Sequence, residues 1–201
     1  KGVMPKKQGL VSDDIPATII LDRKDSILKW KGGLKFSVSN HSGTLKIKQG
    51  RILLMKDKNF TGGKIEINMA TMTNTDLSDP GKKERLIGHL RSKDFFDIEH
   101  FPTASLGIKS SKLIGKTNDG LYNVQITGDL TIKSTTRPIT FNATIDLDSK
   151  VKKATGTLTF NRTDFGVQYR AEMHLDNPDS FWNQLRSARD TTKDRVIRDE
   201  I

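Results

Sequence analysis

Apolar and polar residues alternate along most of this chain with a period of two, the mark of strands that expose one face and bury the other. Leu28 and Trp30 fall on one side of residues 27–31, with Lys29 and Lys31 on the other, and Leu45 and Ile47 repeat the device among Lys46 and Lys48. Ile65, Ile67 and Met69 form a cleaner row, and Leu106 and Ile108 follow a proline at 102. Further on, Val124, Ile126, Gly128, Leu130 and Ile132 share one face. So do Ile139, Phe141, Ala143, Ile145 and Leu147, and then Ala154, Gly156, Leu158 and Phe160. One-sided strands of this kind belong to antiparallel sheets with one wet face. Turn chemistry separates them at 59–63 (NFTGG), 117–120 (TNDG) and 134–138 (STTRP).

Two segments break the rhythm. Asp79-Pro80 reads as a helix cap followed by proline at the first helical position, with Glu84, Leu86, Ile87 and Leu90 at helical spacing behind it. Asn177-Pro178-Asp179 repeats the signal, and Phe181, Trp182, Leu185 and Ala188 make the stripe of a second short helix. The pattern predicts an all-β domain of seven or eight antiparallel strands with one or two short helical insertions. A closed barrel suits it better than a sandwich, because closure removes edges that Val/Ile-rich strands would otherwise expose.

With 201 residues the chain fits one domain, and residues 1–14 read as a flexible polar leader to a domain over 15–201. Only 34% of residues are hydrophobic, and no run approaches the roughly 18 apolar residues of a membrane span. The absence of cysteine removes disulfides and thiolate metal sites. The net charge of +10 is concentrated early: residues 1–60 carry 13 Lys/Arg against 5 Asp. A solvated sheet face accounts for this balance, and an anionic membrane surface is the partner it would otherwise attract. Nucleic acid fits less well, since Lys29, Lys31, Lys46 and Lys48 share a face with no aromatic row for base stacking.

The four imidazoles, His41, His89, His100 and His174, show no helical metal spacing, so no metal and no cofactor is expected. His89, Ser92 and Asp94 suit hydrogen bonds at a helix–sheet junction. Asp94, Asp97 and Glu99 read as surface charges flanking aromatics, and Asp164 beside Arg162 as a turn contact. No nucleophile elbow, phosphate-cradling loop or dinucleotide fingerprint is present, which leaves enzymatic activity without support.

The densest text is His89-Leu90-Arg91-Ser92-Lys93-Asp94-Phe95-Phe96, with Phe101-Pro102-Thr103 behind it. It resembles the hallmark of the YceI-like family of bacterial lipid-binding proteins. Residues 128–133 (GDLTIK) with Arg137-Pro138, residues 161–166 (NRTDFG) and residues 199–201 (DEI) are similar to further motifs of that family, in its order. Ser134 stands where a glycine is common, and residues 171–189 fall where relatives differ. The chain ends where the last strand of that pattern should run on, so that strand is expected to be cut short.

The resemblance implies an eight-stranded antiparallel lipocalin-like barrel, periplasmic or secreted, whose apolar interior binds a long-chain isoprenoid or fatty lipid. It implies binding and sequestration or transport without chemistry, by a monomer or homodimer. The alternative is an interaction or stress-response module with a filled core. If the interior is hollow, its lining is the alternating apolar set. That set is Trp30, Leu45 and Ile47, then Ile65, Ile67 and Met69, then Leu106 and Ile108. Ile126, Leu130, Ile132, Phe141, Ile145, Leu158 and Phe160 complete it, with Phe95, Phe96 and Phe165 near a mouth guarded by the first helix. Burying roughly 400 Å² of lipid would contribute on the order of 10 kcal/mol before the cost of ordering it.

Overall fold

The computed structural model describes residues 15–33 and 40–169. Eight strands make one antiparallel sheet: β1 (Ala17–Ile20), β2 (Ile27–Gly33), β3 (Asn40–Leu54), β4 (Phe60–Asn68), β5 (Thr103–Lys116), β6 (Tyr122–Ile132), β7 (Thr135–Asp146) and β8 (Lys153–Gly156). The path across it is β1-β3-β4-β5-β6-β7-β8, and β2 shares the β1 edge of β3. β2 pairs with residues 40–46 of β3 and β1 with residues 51–54, so one 15-residue strand carries both. The eight-stranded antiparallel fold expected from the alternation is therefore present. It curls into a half-barrel, and among the described residues β8 does not pair back to β1 or β2. The leader at 1–14, His174, the helix expected after Asn177 and the motif at 199–201 lie outside the described residues.

Bulges drive the curl. Register slips by one residue at Lys48 and Thr61 in the β3–β4 ladder and at Lys109 and Ile114 in the β5–β6 ladder. Each slip bends its strand and increases local twist. The slip at Lys48 also reverses side-chain parity. Leu45 and Ile47 face inward before it, and Gly50, Ile52 and Leu54 face inward after it.

The single described α-helix, α1 (Pro80–Arg91), sits in the long connection from β4 to β5 and starts as its cap predicts. Asp79 accepts a hydrogen bond from Lys82 N at 2.7 Å, and Pro80 supplies the fixed φ of the first turn. Ile87 is its buried anchor, and Leu90 packs half-buried beside it. No helix among the described residues is long and apolar enough to cross a membrane.

Ahead of α1, residues 73–76 run beside β3, with Thr73 N and Thr75 N donating to Thr44 O and Ser42 O. Asp76 staples this stretch: its carboxylate accepts from Ser42 N (2.6 Å) and Asn74 Nδ2 (2.7 Å) and meets His41 Nδ1 (2.8 Å). Partial desolvation pushes the carboxyl up, but the Ser42 amide, the His41 ring and the Asn74 amide bring it from 3.8 down to about 2. A depressed folded pKa stabilises the fold above about pH 4, and that contribution is lost as pH falls toward 2. Solvent screening keeps it on the order of 1 kcal/mol. Asp76→Asn should therefore lower stability at pH 7 and flatten the decline between pH 4 and 2, read by denaturant titration at each pH. A parallel decline in the variant would show that the staple is not the titrating element.

Candidate functional site

The inner face of the curl is apolar on every long strand, in two tiers. The tier nearest α1 buries Leu45, Ile67, Met69, Met72, Ile87, Ala104, Leu130, Ile132 and Phe165. The tier toward the β3–β4, β5–β6 and β7–β8 turns buries Phe60, Ile108, Tyr122, Val124, Ile126, Ala143, Ile145 and Leu147. Ile47, Ile52, Ile65, Leu106, Ile139 and Phe141 also point inward by register, yet remain only half-buried. These side chains pack against the two buried tiers and keep part of their surface open to solvent.

All eighteen expected lining residues are packed from this inner side or around α1, in two different environments. Leu45, Ile67, Met69, Phe95, Ile108, Ile126, Leu130, Ile132, Ile145 and Phe165 are buried. Trp30, Ile47, Ile65, Phe96, Leu106, Phe141, Leu158 and Phe160 are half-buried. Leu158 and Phe160 lie beyond the end of β8, not on a continuing strand as the alternation suggested. With Phe165, Ile139 and Arg137 they line a recess of about 310 Å³ beside β7. The sequence missed Ile52, Leu54 and Phe60, hidden by the parity reversal at Lys48 and the slip at Thr61. It also missed Tyr122, which heads the apolar row of Val124 and Ile126 directly behind the turn.

Trp30 is held in place by Gly43. The indole N–H donates to Thr73 O at 3.1 Å, and a Cβ at position 43 would lie 1.8 Å from that oxygen and 2.6 Å from the indole nitrogen. Any side chain at 43 would evict the ring.

A polar clasp joins the turns at the far end of the sheet from α1. Lys58 Nζ donates to Tyr122 Oη and, at 2.7 Å, to Asp148 Oδ1, while Tyr122 Oη donates to Asp148 Oδ2 at 2.9 Å. The bond to Asp148, then that to Tyr122, holds the Lys58 ammonium above its ordinary pKa, and the Lys58 partner keeps the Asp148 carboxyl low. The clasp ties the β3–β4 turn to the β7–β8 turn across the buried Tyr122 ring.

At the other end, residues 89–98 dock α1 onto the sheet. Ser92 Oγ donates to His89 O at 2.8 Å, and Arg91 Nη2 donates to Ala70 O (2.8 Å) and Met72 O (2.9 Å). Ser92 therefore closes the helix end, and the bonds across the junction come from Arg91. His89 is placed differently. Its Nδ1 lies 3.9 Å from Asp94, its Nε2 has no hydrogen-bond partner among the described residues, and its ring meets Phe95 and Tyr169 edge-on. Phe95 is also covered by the guanidinium of Arg162, 5.5 Å from its centroid. Phe96 packs against Phe95 and the tier nearest α1, so the two rings join the segment after α1 to the buried inner face. His41 and His100 pair separately with Asp76 and Asp97, and no His/Asp/Glu group among the described residues could hold a metal.

A family model described as the YceI-like domain matches residues 20–186. Among curated proteins, the chain is 33% identical to a UPF0312 protein of Pseudomonas fluorescens over 81 residues, 40% of this chain and 38% of that protein. A UPF0312 protein of Shewanella denitrificans is 38% identical over 81 residues, 40% of this chain and 37% of that one. The matched stretch therefore spans less than two fifths of these relatives. In solved structures the fold is similar to BcnA of Burkholderia cenocepacia, with a TM-score of 0.58 at 19% identity over 86% of this chain and 89% of that one. It is also similar to a polyisoprenoid binding domain of Saccharophagus degradans implicated in plant cell wall breakdown, with a TM-score of 0.55 at 12% identity over 92% of both chains.

Proposed function

The chain belongs to the YceI-like family, and from that premise we propose that its curled sheet holds one long, flexible, hydrophobic lipid of the polyisoprenoid kind against the inner face. The lipid is sequestered or carried through an aqueous compartment, the periplasm or the cell exterior, and leaves chemically unchanged. The observation that carries this reading is the row of inward, half-buried apolar side chains between two packed tiers. Ile47, Ile65, Leu106 and Phe141 lie at mid-height of the wall, and Trp30, Leu158 and Phe160 extend the row toward α1. A filled-core interaction module would enclose these side chains instead. The structural neighbour from Saccharophagus degradans, itself described as a polyisoprenoid binding domain, supports the lipid class.

A hydrocarbon on this row gains by area, at about 25 cal/mol per Å² removed from water, and needs no directional contact. An apolar wall without directional contacts suits a chain that can slide and fold to fit. The test is native mass spectrometry of protein purified without detergent, followed by solvent extraction of whatever is bound. A long-chain lipid at near-stoichiometric occupancy is the expected result. Protein that carries no lipid and takes up none from added polyprenol would leave the filled-core module as the function.

A further inference from the structure

The β1–β2 connection runs beside β3, with Leu21 N donating to Gly50 O, and a surface recess of about 320 Å³ there is lined by Arg23, Lys24, Lys46 and Lys48 with Ile47, Asn68 and Thr71. No carboxylate contributes to the lining. Among the described residues none of the four cations makes an ion pair. The nearby acids are otherwise engaged: Asp22 Oδ1 accepts from Lys24 N and Asp25 N to form the turn, and Glu66 bonds Lys64 and Gln49, with Lys48 acting on it only at longer range. Four unpaired cations converging on a concave surface are a receptor for an anion.

Two large aliphatic side chains straddle that cleft on the same outer face. Ile20 opposes Arg51 and Ile27 opposes Lys46, and paired residues in a ladder share a face. They are 70% and 59% exposed. Lys29, two residues beyond Ile27, extends the same face. A soluble anion would gain nothing from exposed isoleucines, and a nucleic acid would call for aromatic platforms, whereas Trp30 points to the other side of the sheet. Cations around exposed aliphatic side chains match a bilayer interface, where phosphates and acyl chains lie a few ångströms apart.

We propose that this outer face docks on an anionic lipid bilayer, with a phospholipid phosphate seated in the Arg23–Lys24–Lys46–Lys48 cleft and Ile20 and Ile27 set into the acyl boundary. The inference stands on the outer face alone and does not need the cargo reading. Each cation near a charged membrane strengthens binding about fivefold, so removing four should weaken it on the order of a hundredfold or more.

The experiment is co-sedimentation of the full chain with vesicles of phosphatidylcholine alone and with phosphatidylglycerol added, at low and physiological salt. Bound cargo is measured in the same samples. Binding should require phosphatidylglycerol and weaken with salt. It should be lost in the variant carrying Arg23→Gln, Lys24→Gln, Lys46→Gln and Lys48→Gln, and fall at least tenfold in Ile20→Ser/Ile27→Ser. A charge-matched variant with glutamine at Lys82, Arg85, Lys150 and Lys153 should bind as the parent does, and cargo occupancy should be the same in all. Three results would each overturn the proposal. They are equal loss in the charge-matched variant, retention in the cleft variant, and binding to duplex DNA that is as tight and indifferent to the isoleucines.

Discussion

Arg162→Ala is expected to cost about 3–5 kcal/mol of folding stability, a large share of the 5–15 kcal/mol typical of a whole domain. Arg162 is fully enclosed, at 0% exposure, in a short turn (Arg162–Phe165) whose neighbours Phe165 and Val167 are also buried. Its Nη1 donates to Val167 O at 2.6 Å, and its guanidinium covers the Phe95 ring. The turn is fixed from both ends: Asn161 Oδ1 accepts from Thr163 N at 2.9 Å, and Gly166 takes the left-handed conformation at φ +74°. Alanine would leave a cavity the length of the arginine stem, a buried carbonyl without its donor and an aromatic ring without its cation. Arg162→Met restores volume but not hydrogen bonds and should recover part of the loss. Urea unfolding of the three proteins tests the order. An alanine variant within 1 kcal/mol of the parent would mean that the turn does not depend on its arginine.

The burial of Arg162 was not legible in the sequence, because arginine is among the residues least often enclosed. The resemblance to a family turn marked the segment, but only the fold shows that its cation reaches the Phe95 ring. By contrast, β6 and β7 were read almost residue by residue. Their ladder pairs Tyr122 with Ile145 through Ile132 with Thr135 without a slip, so inward parity never changes. β3 defeated the same rule. Lys46, Lys48 and Arg51 fit no single alternation until the bulge at Lys48 is known, and Ile52 and Leu54 then prove to face inward. β1 has four residues, too short for any periodicity to show. The inner surface was legible as a face only: alternation says which side chains point inward, but whether they meet each other depends on curvature that the bulges set.

Phe141→Asp is expected to abolish lipid retention in a protein that still folds, whereas Leu130→Arg should unfold it. Both residues face inward, on adjacent strands, but Leu130 is 5% exposed in the tier beneath α1 and Phe141 is half-buried at mid-wall. An arginine at 130 would be enclosed without a partner designed for it, at a cost of several kcal/mol. A carboxylate at 141 can reach water when the inner face is empty, so the empty protein tolerates it. Once hydrocarbon covers the inner face that escape closes, and the lost aromatic contact adds to the desolvation of the charge. Together these should weaken lipid binding by at least about a hundredfold. Thr140→Asp places the same charge one residue earlier on the exposed outer face and should change neither folding nor occupancy. Native mass spectrometry reads the cargo and circular dichroism the fold. A folded Phe141→Asp protein with full lipid occupancy would place the hydrocarbon away from the β6–β7 wall.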